Sequence, residues 1–283
     1  MYAFDYHRPT SLADAKALYA RLEDPMYVSG GMTLIPSMKQ RLAAPSDLID
    51  LSSLPELEGI EQLNDAQDSM LRVGGLTRHN EVAGNVLIQR HLPVLGQVAA
   101  AIGDNQVRNR GTLGGSIANA DPAADLPAAL LAMKASVNTQ DRQISADEFF
   151  LDLFETALDA GDIVVSVDFS TPQQAAYEKF RHPASGYAVV GVLVACFADG
   201  VLVGVTGAGP CAFRACALED ALNQQFLPQA VDAVAIPDAG FNSDIHASAE
   251  YRAHLIKVLT KRAVASLPGS YTHLRAHETS NHL

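Results

Sequence analysis

Two stretches of this chain place paired glycines where a negatively charged ligand could be held by backbone alone. Val28-Ser29-Gly30-Gly31-Met32-Thr33-Leu34-Ile35 reads as strand, turn and helix start, and Thr112-Leu113-Gly114-Gly115-Ser116 repeats the theme with two hydroxyls. Glycine lets the chain approach a ligand closely, and N–H groups at a helix start point outward. A pyrophosphate can therefore be bound without a matching set of cations. Turns also use glycine for ordinary reasons, so either pair taken alone reads first as a structural turn.

Other candidates carry less chemistry. Val203 to Ala212 contains G-x-G-x-x-A after a strand, the outline of a dinucleotide fingerprint. That strand is the second arm of a hairpin, however, and Pro210 removes a backbone donor. No strand ending in an acidic residue follows about 20 residues later, so a tight turn is the better account. His182 has no neighbours that complete an acid–base constellation and reads as structural. Lys39 and Arg41 fit phosphate binding and a solvated helix face alike. The three cysteines, Cys196, Cys211 and Cys216, are too few for an iron–sulfur cluster and lack a paired metal spacing. They read as buried structural thiols.

The elements that must position these residues follow from periodicity and caps. Ser11 to Leu22 has one apolar helix face with Thr10 or Ser11 as cap, and Pro25 ends it. Met26 to Val28 and Leu48 to Leu51 are strands around a helix from Leu34 to Arg41. Ser69 to Gly74 is a strand, Thr77 can cap a helix running through Val86, and Pro93 to Ile102 is helical. Asp125 to Met133 is a further helix and Ile163 to Phe169 a strand. Beyond Thr171-Pro172, Ala188 to Ala198 and Val201 to Val205 form a hairpin through Asp199-Gly200. Arg214 to Asn223 and Ala247 to Ser266 are helices, giving an α+β unit with its helices on one face.

The chain has 283 residues, 48% hydrophobic and 18% charged, enough for two or three globular domains. A net charge of −12 argues against general nucleic-acid binding, which needs clustered cations. No apolar run reaches a membrane-spanning length. The N-terminus lacks a secretory pattern, so a cytoplasmic protein is expected. Ser270 to Leu283 is polar, with His273 and His277 four apart, and is expected to be a disordered or non-native tail.

The residues around the glycine pairs are more specific. Gly31-x-x-Leu34-x-Pro36-x-Met38-Lys39-x-Arg41-Leu42-x-x-Pro45, followed by Leu48-Ile49-Asp50-Leu51, resembles the first motif of the FAD-binding subunits of molybdenum hydroxylases. Arg110-Gly111-Thr112-Leu113-Gly114-Gly115-Ser116-x-Ala118-Asn119-x-Asp121-Pro122-Ala123-Ala124-Asp125-Leu126-Pro127 resembles the second. That family includes the medium subunit of carbon monoxide dehydrogenase and the flavin part of xanthine dehydrogenase. The resemblance runs from Tyr2 to about Pro268, and the second motif is the more specific.

The resemblance implies an α+β protein: a two-lobed FAD-binding fold of the vanillyl-alcohol oxidase type, then a small α+β C-terminal domain. The expected divisions are 1–57, 58–172 and 173–268, with 269–283 as the tail. It implies that Val28, Ser29, Gly30, Gly31, Met32, Thr33, Leu34 and Ile35 form one pyrophosphate loop. Thr112, Gly114, Gly115 and Ser116 form the other, with Asn119 in the same motif. Asp125 would reach the ribose or adjacent polar groups, Ile102 would line the flavin side, and Ile163 or Val164 would touch the adenine or dimethylbenzene region. In Tyr177 to Ala188, Lys179 would approach the isoalloxazine and Tyr187 its face. On chemistry alone, Lys179 equally suits a solvated surface and Tyr187 a strand-start core position. The implied role is a flavoprotein oxidoreductase subunit taking electrons from a [2Fe–2S] small subunit beside a molybdenum-cofactor large subunit. The alternative is a non-catalytic α+β binding or scaffold protein that has kept the fold.

Overall fold

The computed structural model describes residues 1–64 and 69–268. The expected character of Ser270 to Leu283, with His273 and His277, lies outside the described residues. The chain forms two compact units, Met1–Asp121 with Lys134–Thr171, and Pro122–Met133 with the chain from Pro172 onward.

The first unit opens with β1 (Asp5–His7), α1 (Leu12–Arg21), β2 (Pro25–Val28), α2 (Leu34–Lys39) and β3 (Asp47–Asp50). Its strands form a parallel sheet in the order β1-β3-β2. Parallel neighbours need crossover connections, and α2 supplies the one from β2 to β3. Ser11 caps α1 by accepting the Asp14 N–H at 3.1 Å. Ala15 on the apolar face of α1 packs with Ile49, Leu51 and Leu54 in one core.

The same unit continues through β4 (Ile60–Asn64), β5 (Ser69–Gly74), α3 (His79–Gly84), α4 (Val86–His91), α5 (Pro93–Ala100), α6 (Asn105–Arg110) and α7 (Leu113–Asn119). After α8 (Leu126–Ala132), which packs in the second unit, come β6 (Ser136–Thr139), β7 (Gln143–Ser145), α9 (Ala146–Phe149), β8 (Phe150–Asp152), β9 (Glu155–Thr156) and β10 (Val164–Ser170). An antiparallel sheet runs β4-β5-β10-β6-β7. Thr77 is not a helix cap. Its hydroxyl instead donates to the Gly59 carbonyl at 3.1 Å. The helix expected through Val86 is α3, which stops at Gly84, and α4 is a further helix beyond it, started where the Asn85 side chain accepts the Leu87 N–H at 2.8 Å.

The second unit is built on an antiparallel sheet of β11 (Gln174–Arg181), β12 (Ala188–Phe197), β13 (Gly200–Thr206) and β14 (Phe213–Arg214), with α10 (Cys216–Gln224) and α11 (Ala249–Ser266). The β12–β13 turn uses Gly200 at φ +148°. Val190, Val192, Val194, Val203 and Val205 share a core with residues of α10 and α11. The helices do not all lie on that face. Gly204 alternates to the opposite side, where an added Cβ would stand 2.1 Å from the Ala128 carbonyl oxygen, so α8 covers the second face. The G-x-G-x-x-A stretch, Gly207 to Ala212, opens on a turn at Gly207, φ +84°, and a Cβ on its second glycine, Gly209, would meet the Phe213 ring at 3.5 Å.

Candidate functional site

Within the first unit the two glycine loops meet. A Cβ on Gly30 would lie 2.2 Å from the Arg110 carbonyl oxygen, so only glycine allows the contact. Ser29 Oγ and Thr112 Oγ1 are hydrogen-bonded at 3.1 Å. Val28 anchors the strand side of the first loop in a core with Met38 and Leu48, and Leu34 and Ile35 pack against the same cluster. Gly31 turns the chain at φ +69°. Among the described residues, the N–H groups of Gly30, Gly31, Met32 and Thr33 have no protein partner. Four consecutive unspent donors stand ahead of α2.

The second loop is internally satisfied. Thr112 Oγ1 accepts the Gly115 N–H at 3.1 Å, capping α7. The Leu113 N–H donates to the Thr77 carbonyl at 3.0 Å and the Gly114 N–H to that of Gly75 at 2.8 Å. A Cβ on Gly114 would lie 2.8 Å from the Gly75 carbonyl oxygen, so this glycine serves packing within the protein. Ser116 keeps a half-exposed hydroxyl, and Asn119 ends α7 just before Ala120 at φ +46°. The first loop thus offers backbone donors, and the second braces it through Thr112 and leaves Ser116 half-exposed. Backbone donors left free in this way can bind an anion.

His79 went unnoticed in the sequence. Its N–H donates to the Gly111 carbonyl at 3.0 Å, and its ring lies where a Gly111 side chain would stand, 3.0 Å from that Cβ position. Burial lowers its pKa to about 4, with the Arg108 charge adding to the effect. The imidazole is therefore a neutral support beneath the backbone leading into the second loop. No motif marks it, because its role depends on Gly111 lying over it.

In the second unit Asp125, Tyr177 and Lys179 form a connected triad. The Lys179 ammonium is 2.7 Å from Asp125 Oδ1 and 2.9 Å from Oδ2, with only 7% and 4% of the two side chains exposed. The Tyr177 hydroxyl donates to Asp125 Oδ1 at 2.5 Å. Burial raises the Asp125 pKa, opposed by Lys179 and Tyr177, and burial lowers that of Lys179, opposed by Asp125. Burial also pushes the Tyr177 phenol well above its ordinary value. Lys179 is thus no solvated lysine, and both Asp125 oxygens are engaged.

The remaining candidates are dispersed. Ile102 follows α5, its carbonyl accepting from Arg108 Nη1 at 2.8 Å. Ile163 is buried in the core with Ile49 and Leu76. Tyr187, before β12, is 45% exposed. His182 is structural in geometry: its Nδ1 accepts the Ser185 N–H at 3.1 Å, and its Nε2 lies 3.3 Å from His246 Nδ1. The Arg41 guanidinium stands over the Tyr2 ring at 5.5 Å. Cys196 is buried and Cys211 half-buried, but Cys216 is exposed rather than buried as expected. Among the described residues no three His, Cys, Asp or Glu converge on a metal position, and no helix is long and apolar enough to cross a membrane.

Residues 2–172 match the family model described as the FAD binding domain in molybdopterin dehydrogenase. The chain is 34% identical to the nicotine 6-hydroxylase medium subunit of Paenarthrobacter nicotinovorans, covering 93% of this chain and 96% of the relative. It is 32% identical to the carbon monoxide dehydrogenase medium chain of Hydrogenophaga pseudoflava, over 92% and 96%. Among solved structures, reconstituted CO dehydrogenase from Oligotropha carboxidovorans superposes with a TM-score of 0.86 at 31% identity, covering 93% of this chain and 97% of that one. The glycine loops, the fold that joins them and these similarities agree. The chain belongs to the FAD-binding medium-subunit family of the molybdenum hydroxylases and is a flavoprotein subunit of an oxidoreductase.

Proposed function

We propose that this chain is the electron outlet of a heteromeric molybdenum hydroxylase, receiving electrons from the [2Fe–2S] clusters of a small subunit and delivering them to an external acceptor. A large subunit with the molybdenum cofactor would act on the substrate, and the assembly would be cytoplasmic. The observation that carries the binding half of this reading is the strip of free N–H donors from Gly30 to Thr33, braced by Ser29 and Thr112. Bound FAD supplies the change between two-electron and one-electron chemistry that no side chain of this protein has.

The chain's own residues then have distinct tasks. Gly30 to Thr33 would hold the diphosphate through backbone dipoles, and Ser116 would add a hydroxyl. Leu34, Ile35, Asn119, Ile102 and Ile163 or Val164 would border the rest of the dinucleotide. Asp125 and Lys179 would set the charge near the isoalloxazine, and Tyr187 would lie at its face. With three cysteines, the chain falls short of the four thiolates a cluster takes, so iron would be held by another subunit.

Purification from the native source tests the assignment. The expected preparation contains this chain with two further polypeptides, and its flavin absorption bleaches when an oxidisable substrate of the complex is added. A chain that purifies alone and colourless, and takes up no added FAD, would overturn it.

A further inference from the structure

The role of Lys179 in that reading depends on what fixes its ammonium, and the second unit holds a device for this. We propose that Tyr177 is a positioning residue for Lys179, acting through the carboxylate of Asp125. The inference rests on the reading that Lys179 acts at the isoalloxazine.

Tyr177 and Lys179 are two apart on β11 and so share one face of the sheet. Across the ladder, Lys179 pairs with Gly191 and Tyr177 with Leu193. A Cβ on Gly191 would lie 2.5 Å from the Tyr177 hydroxyl oxygen and 3.2 Å from its Cε2, so the phenol occupies the space left by the missing side chain opposite Lys179. From there the hydroxyl reaches Asp125 Oδ1 at 2.5 Å.

Asp125 is itself held from the other side. Thr206 Oγ1 lies 2.6 Å from the Ala124 carbonyl oxygen and 2.9 Å from that of Pro122, which share its single hydrogen. The Gly207 N–H donates to the Pro122 carbonyl at 2.7 Å. The carboxylate therefore projects from a pinned backbone, and the Tyr177 hydroxyl sets its rotation together with the Lys179 ammonium. The Lys179 ammonium bridges both oxygens of a carboxylate oriented in this way. Without the hydroxyl, less of the Asp125 charge is compensated, and the ammonium is drawn onto it. The positive potential that Lys179 offers a neighbouring group then falls.

The test is the midpoint potential of bound flavin in FAD-loaded wild type, Tyr177→Phe, Gly191→Ala and Lys179→Met, with flavin content measured for each. Lys179→Met lowers the potential, because a cation that favours the reduced ring is gone. Tyr177→Phe and Gly191→Ala lower it in the same direction by a smaller amount. Gly191→Ala keeps every polar group and displaces the phenol alone among the triad, although its Cβ also presses on Thr206 Cγ2 at 2.9 Å. It decides the matter if Tyr177→Phe fails to fold. A structural ion pair would change thermal stability in these variants and leave the potential in place. If Lys179→Met shifts the potential while both other variants match wild type, the positioning role is wrong and the Lys179 reading stands. An unshifted Lys179→Met overturns both.

Discussion

Burial of the His79 imidazole beneath Gly111 ties the stability of the first unit to pH. Its pKa is lowered to about 4 in the folded protein, against about 6.5 in an unfolded chain. Above that unfolded value both states are neutral and nothing is lost. Below it the unfolded chain takes up a proton the folded chain refuses, and stability declines progressively towards pH 4, by about 3 kcal/mol in all. Denaturant unfolding at pH 7 and pH 4.5 should therefore show wild type losing about 2–3 kcal/mol more than His79→Gln. Equal losses in the two proteins would mean that His79 is not kept neutral. The glycines of the loops were legible in the sequence because their types and spacing are themselves the signal. Which loop donates was not legible. Gly114 and Gly115 sit in the more specific motif, yet their N–H groups are spent on Gly75 and Thr112. Only the fold brings those acceptors, one of them 39 residues earlier in the chain, up to the loop.

Elements with a strong period and a cap were legible, and those set by distant partners were not. The α1 and α11 helices carry apolar faces and serine caps at Ser11 and Ser248, whereas β11 is a polar edge strand whose existence depends on β12. The position of α8 was equally hidden, since Gly204 acquires its meaning only from the Ala128 carbonyl above it. The attachment of α11 shows what such long-range closure contributes. Arg252, 4% exposed, donates from Nη1 to the Val189 carbonyl at 2.6 Å and the Gly207 carbonyl at 2.9 Å, and from Nη2 to Asp244 at 2.7 Å. Arg252→Met would preserve much of the packing volume and leave two buried carbonyls without this donor. The expected loss is about 2–4 kcal/mol in a denaturation experiment. A loss below about 1 kcal/mol would show that water or neighbouring N–H groups replace the guanidinium.

At the scale of the whole molecule, cofactor binding and folding are linked by mass action. A ligand that binds only the folded chain raises its stability by about 2.7 kcal/mol at a hundredfold excess over Kd. Added FAD should accordingly raise the thermal midpoint of flavin-free protein, and the midpoint should climb with concentration. Gly30→Ala separates that increment from intrinsic stability. Its Cβ would stand 2.2 Å from the Arg110 carbonyl oxygen, forcing the two loops apart at a cost of about 1–3 kcal/mol. The variant should start less stable than wild type and gain little or nothing from FAD, because the donor strip is displaced with the loop. If it starts lower but gains the full increment, the first loop matters for packing alone and the diphosphate is held elsewhere. The joint lies between loops 80 residues apart in the chain, Gly30 against Arg110. A motif can mark each side of that joint, but only the folded unit sets the distance across it.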